Sequence, residues 1–131
     1  MAQKLSQPES FNVLISNANW AWPQAVAQIF QPRGFNALVA NSAVDVVRLV
    51  ARSQVHLAIL DMVMGDLSGT QALKMIRQHD ELVPCILLAR HPGEKVLAEA
   101  LALNAYSVLD KPVDLSLLAS QVDRLFSKYY A

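Results

Sequence analysis

Several things this chain has little of narrow what it does. Its 131 residues include one cysteine, Cys85, so there is no internal disulfide and no cysteine-rich zinc site. No sign of charge dominates, since eleven Lys and Arg balance eleven Asp and Glu, and no basic stripe of the kind a nucleic-acid binder carries is visible. No apolar run approaches the roughly 18 residues a membrane-spanning helix needs. The opening residues 1–10 carry no hydrophobic signal core. Charged residues are only 17% of the chain, against about 25% in an ordinary soluble domain. These absences predict a cytoplasmic protein without nucleic-acid or membrane partners. Its expected organisation is an N-terminal tail (1–10) followed by one domain (11–131).

What is present is regular. Apolar residues make up 53% of the chain, which excludes disorder. They fall into short continuous runs that alternate with helical spacing five times over. Strands are expected at 11–16, 35–40, 55–60, 84–88 and 105–109. The first helix presents Trp22, Ala25, Val26, Ile29 and Phe30 on one face, with Pro32 and Gly34 ending it. Ser42 is placed to cap the second helix. The third turns Ala72, Leu73 and Ile76 inward and Lys74, Arg77 and Gln78 outward. Asn104 suits a left-handed turn after the fourth. The last shows Leu118, Val122, Leu125, Phe126 and Tyr129 on one face. Five βα units with nearly all-apolar strands predict a doubly wound α/β fold, a parallel sheet with helices on both faces.

Such folds work at the carboxyl ends of their strands. Two residues there carry chemistry. Asp61 ends the apolar run Val-His-Leu-Ala-Ile-Leu, and Lys111, followed by Pro112, ends the fifth strand on the same rim. Either residue alone reads equally well as a solvated strand terminus. Together, at two strand ends of a five-unit chain, they point to a site. His56, His79 and His91 are scattered over a strand, a helix end and a loop, a pattern of packed or solvated histidines rather than a metal cluster. Cys85 reads as an inert core thiol.

The stretch Val-His-Leu-Ala-Ile-Leu-Asp61-Met-Val-Met, Gly69 opening the third helix, Pro84 before the fourth strand and Lys111-Pro112 resemble the receiver domain of two-component response regulators. The resemblance runs from Phe11 to about Tyr129. It implies a flavodoxin-like receiver fold with strand order 2-1-3-4-5 and signalling by protein contact rather than enzymatic turnover. It implies Asp61 as phosphoacceptor, Lys111 as the group contacting the phosphoryl oxygens, and a cis Lys111-Pro112 bond. The implied partners are a histidine kinase or phosphotransfer protein and a downstream target. The face made by the fourth helix, fifth strand and fifth helix is the expected homodimer or docking surface. The apolar run 96–103 fits that use, and small-residue filler with Ala98 and Ala102 outward is the competing account.

The departures weigh as much. Where receivers carry an acidic pair for Mg²⁺, this chain has Asn17 and Ala18, and no Asp or Glu occurs anywhere between Ser10 and Val44. The hydroxyl expected after the fourth strand is replaced by Ala89, the aromatic switch position falls on Val108, and Met64-Gly65 stands where Met-Pro is common. Asp61 is thereby left as a weak metal ligand, and Mg²⁺ is expected to bind feebly if at all. Trp20 is placed to stack over the mouth of the site. The expected result is a degenerate receiver in which Asp61 and Lys111 pair and phosphorylation is weak or absent. A pseudo-receiver that is never phosphorylated and serves only for docking or dimerisation is the alternative. A flavodoxin-like cofactor binder is remote, because Ser16-Asn17-Ala18-Asn19 offers no glycine for a phosphate loop. A small α/β hydrolase using an aspartyl-phosphate is equally remote, because Val63 stands where its second acid belongs.

Overall fold

A computed structural model describes residues 11–16, 22–64 and 67–130. The tail 1–10 and the positions Asn17, Ala18, Trp20 and Gly65 lie outside the described residues. The elements run β1 (Asn12–Ser16), α1 (Trp22–Ala25) with a π-helical continuation (Val26–Phe30), β2 (Asn36–Ala40), α2 (Ala43–Arg52), β3 (Leu57–Asp61), α3 (Gly69–His79), β4 (Cys85–Ala89), α4 (Glu94–Ala102), β5 (Ser107–Asp110) and α5 (Leu115–Tyr130). The strands form one sheet in the order β2-β1-β3-β4-β5, parallel throughout. This is the expected doubly wound arrangement.

The two-residue period of the strands sorts the core into two layers. Val13, Ile15, Leu57, Ile59, Ile86 and Leu88 face α1 and α5, meeting Phe30, Leu118, Val122 and Leu125. Leu14, Ala58, Leu60, Cys85 and Leu87 face the other side, meeting Val46, Leu73, Ile76 and Ala100. Every residue of β3 and β4 is buried, so their continuous apolar runs are what a sheet covered on both faces requires. Both strands run one residue further than expected, bringing Asp61 and Ala89 into the sheet.

Helix starts follow local chemistry. The Ser42 side chain accepts from the Asp45 N–H, and Ser68 and Gln71 form a reciprocal capping box at the head of α3. The first helix departs from expectation, since the Gln31 N–H bonds the Val26 carbonyl five residues back at 2.8 Å. Its wider turn keeps the adjacent Ile29 and Phe30 both buried. Pro32, which has no N–H, and Gly34 at φ +74° then lead into β2.

Two outward or inward assignments are reversed. Arg77 is half-buried, its guanidinium donating to backbone carbonyls of Val83 and Leu103. Tyr129 is exposed, and Tyr130 packs inward instead, donating from its hydroxyl to the His56 carbonyl at 2.6 Å. Helical spacing alone does not see such bonds, because a side-chain group seeking a backbone partner follows the partner, not the period.

His56 anchors the pole of the sheet opposite the candidate site. Its ring is buried among Phe11 and Tyr130, and its Nδ1 accepts the Asn12 N–H at 2.9 Å. Burial holds its pKa below the ordinary histidine value. The folded state therefore prefers the neutral ring, so His56 contributes stability above the unfolded pKa of about 6.5, and that stability is lost as pH falls through this value towards the lower folded one, the unfolded chain taking up the proton first. The slope that one group can add is at most about 1.4 kcal/mol per pH unit. Urea titrations between about pH 5 and 7 should show a steeper loss in wild type than in His56→Gln; parallel curves would refute this.

Candidate functional site

The rim is built by three strand ends. β3 delivers Asp61 opposite Leu88 of β4, and the Met62 N–H bonds the Leu88 carbonyl at 2.9 Å. β5 ends beside Ala89, whose carbonyl accepts the Lys111 N–H at 3.0 Å. The Lys111-Pro112 bond is cis. Folding thus brings together two residues fifty positions apart: Lys111 Nζ lies 2.8 Å from Asp61 Oδ2 and 2.9 Å from Oδ1. Asp61 is fully buried, and the Lys111 side chain retains only 16% exposure.

Two further contacts hold the carboxylate and its backbone. The Val63 N–H donates to Asp61 Oδ1 at 2.8 Å, and the Asp61 N–H donates to Ser16 Oγ at 2.8 Å. The loop after β3 is pinched by a bridge between Val63 and Ser68, and the Gly69 N–H bonds the Met62 carbonyl at 3.1 Å. Only glycine allows this closure, since a Cβ at Gly69 would stand 2.7 Å from the Asp61 carbonyl oxygen. Thr70, buried behind it, exchanges a hydrogen bond with Ser68. At the next strand end, His91 adopts φ +47° and its N–H donates to Asp110 Oδ1 at 2.9 Å.

Asp61, Lys111 and Ala89 therefore share the rim. Ala89 is buried and supplies no hydroxyl there. Val108 is half-buried in β5, packed against the buried cluster that includes Leu87 and Ala100. Ser16 and Thr70 were not singled out by sequence reasoning. For Ser16 the available signal was a polar residue closing the apolar run Val-Leu-Ile at a strand's carboxyl end. Away from the rim, α4 exposes Leu97, Ala98, Leu101 (78%) and Ala102, and α5 exposes Leu117.

The site combines one buried carboxylate with one ammonium. Such a pair can offer a nucleophilic oxygen and neutralise part of an incoming anionic group. Both Asp61 oxygens are already given to Lys111, and among the described residues no three His, Cys, Asp or Glu side chains come together as metal ligands. No described helix is long and apolar enough to cross a membrane.

Comparison with known proteins agrees with this geometry. Residues 13–123 match the family model of the response regulator receiver domain. The chain is 28% identical over 120 residues to response regulator RR06 of Streptococcus pneumoniae serotype 2, covering 91% of this chain and 54% of that protein. It is 30% identical over 95 residues to the regulatory protein AtoC of Escherichia coli K12, covering 72% of this chain and 21% of AtoC. The chain thus spans about half the length of the first relative and about a fifth of the second. Among solved structures, a CheY-like receiver domain protein from Methanospirillum hungatei JF-1 superposes with a TM-score of 0.81 at 19% identity, covering 90% of this chain and 94% of that one. A two-component response regulator from Clostridium difficile gives 0.82 at 17% identity, covering 92% and 99%. A buried aspartate and a lysine joined at the strand ends of a 2-1-3-4-5 sheet, with a family match over most of the chain, place this protein in the response regulator receiver domain family of two-component signal transduction.

Proposed function

We propose that this domain carries its signal by protein contact in a two-component or phosphorelay pathway, with Asp61 as a phosphoacceptor that is modified slowly. The observation that supports this most is the Asp61–Lys111 pair at 2.8 Å, buried at the ends of β3 and β5. In the step proposed, an Asp61 carboxylate oxygen forms a bond to phosphorus while the bond from phosphorus to the donor atom breaks. The bonding pair leaves with the donor, and Lys111 neutralises phosphoryl oxygens as they arrive. Phosphoryl transfer depends on positioning and on charge neutralisation, and here one ammonium does that work.

The donors described do not fit a bound divalent cation, so no step is routed through one. Mg²⁺ takes hard oxygen ligands in near-octahedral array, whereas both Asp61 oxygens are held by an ammonium. The substitutions Asn17, Ala18 and Ala89 remove three further groups a receiver would use. Loss of one preorganised electrostatic group slows catalysis on the order of 10²–10³-fold. A histidine kinase or phosphotransfer protein would supply the phosphoryl group in the cytoplasm. A downstream protein, or a second copy, would read the face of α4, β5 and α5, where Leu97, Leu101 and Leu117 stand exposed. The closed Asp61–Lys111 pair also favours a second reading, a pseudo-receiver that is never phosphorylated and acts only through that face.

Intact-mass measurement after incubation with acetyl phosphate in magnesium buffer separates the two. The expected result is slow, partial gain of one phosphoryl group by wild type and none by Asp61→Asn. No gain from the small donor or from a cognate kinase would leave the pseudo-receiver.

A further inference from the structure

The parallel ladder between β1 and β3 pairs Val13 with Leu57, Leu14 with Ala58 and Ile15 with Ile59, and stops there. Asp61 is the last residue of β3, beyond that ladder, and its N–H is taken by a side chain: Ser16 Oγ at 2.8 Å. Ser16 is the last residue of β1 and is itself buried, at 2% exposure. A hydroxyl therefore accepts where a further ladder carbonyl would accept, directly behind the carboxylate that meets Lys111. A buried N–H needs such a partner, and an aliphatic residue at this position could not supply one.

We propose that Ser16 is a positioning residue for Asp61. Its hydroxyl fixes the Asp61 main chain from the β1 side, while Val63 and Lys111 hold the carboxylate from the other, so that the oxygens stay directed at the Lys111 ammonium. This rests on the reading of Asp61 as phosphoacceptor for its chemical consequence, but not for the anchoring itself. The chain carries Asn17 and Ala18 immediately after Ser16, so a neutral hydroxyl rather than an acidic side chain connects β1 to the site.

Ser16→Thr and Ser16→Val test this, since the two side chains are nearly the same size and differ by a hydroxyl against a methyl. Amide hydrogen exchange of Asp61, with Ile59 and Leu60 as internal references, reads the anchor directly. Exchange at Asp61 is expected to rise about tenfold in Ser16→Val and to stay near wild type in Ser16→Thr, the size a single buried hydrogen bond carries. With acetyl phosphate as donor, the rate constant for phosphorylation at saturating donor should fall by about the same factor in Ser16→Val, the half-saturating donor concentration staying unchanged, and Ser16→Thr should restore it. Equal Asp61 exchange in the two variants, or a loss spread equally over Ile59 and Leu60, overturns the proposal. If valine prevents folding, Ser16→Ala makes the same comparison. If wild type accepts no phosphoryl group, the phosphoacceptor reading fails, and the Asp61 exchange difference alone decides whether Ser16 anchors it.

Discussion

Replacing Lys111 with methionine should lower the stability of the domain by about 3–5 kcal/mol, because it strands a charge that folding has taken out of water. Asp61 is fully buried, and Lys111 is the cation that meets both its oxygens. The Val63 N–H remains as a partner for Oδ1 but carries no charge. The reverse change, Asp61→Leu, leaves an ammonium that keeps some exposure and should cost less. The double variant Asp61→Leu with Lys111→Met should regain most of the loss, since a buried ion pair and a well-packed apolar pair of similar volume are often close in free energy. Urea unfolding of the four proteins at neutral pH measures the cycle. A Lys111→Met loss below about 1 kcal/mol, the ceiling for ordinary surface pairs, would mean that the pair is not a buried one.

That pair was legible in the sequence because both partners sit where the β-period changes to loop, and the ends of parallel strands converge on one rim whatever the side chains. The same logic located the layers. Leu14 and Ile15 had to face opposite sides of the sheet once β1 was a strand, and they do. Caps were equally readable, since Ser42 and Asn104 act within a few residues of themselves, the former bonding Asp45 and the latter turning at φ +57°. What stayed hidden were bonds between a side chain and distant backbone: Ser16 to Asp61, His56 to Asn12, Tyr130 to His56. Their partners lie 45, 44 and 74 residues away, and no periodicity encodes a contact of that range. The π-helical turn at Val26–Phe30 was hidden for a different reason: the spacing of Ala25, Ile29 and Phe30 also fits one face of an ordinary helix, and nothing in it marks a wider turn.

Arg77 belongs to the hidden class and carries the second large effect. Its Nε donates to the Leu103 carbonyl at 2.8 Å, one terminal nitrogen to Val83 at 2.7 Å and Asp80 at 3.3 Å, and the other to Asn104 at 3.2 Å. One guanidinium thereby ties the carboxyl end of α3 to the chain entering β4 and to the turn between α4 and β5. It places its charge beside the negative ends of two helices, where a cation is favourable. Arg77→Met should lower stability by about 2–3 kcal/mol, because partly buried carbonyls lose charge-assisted bonds together. Arg77→Lys should recover less than half of this, since an ammonium lacks the planar fork that reaches carbonyls on separate segments. Both variants should also speed hydrogen exchange at Asn104 and Ala105, whose N–H groups close the end of α4 on Leu101 and Ala100. That end carries Leu101, the most exposed leucine of the proposed contact face. A partner that docks there should bind Arg77→Lys more weakly than wild type at full occupancy of the folded state; wild-type stability and exchange in Arg77→Lys would show that the fork is dispensable.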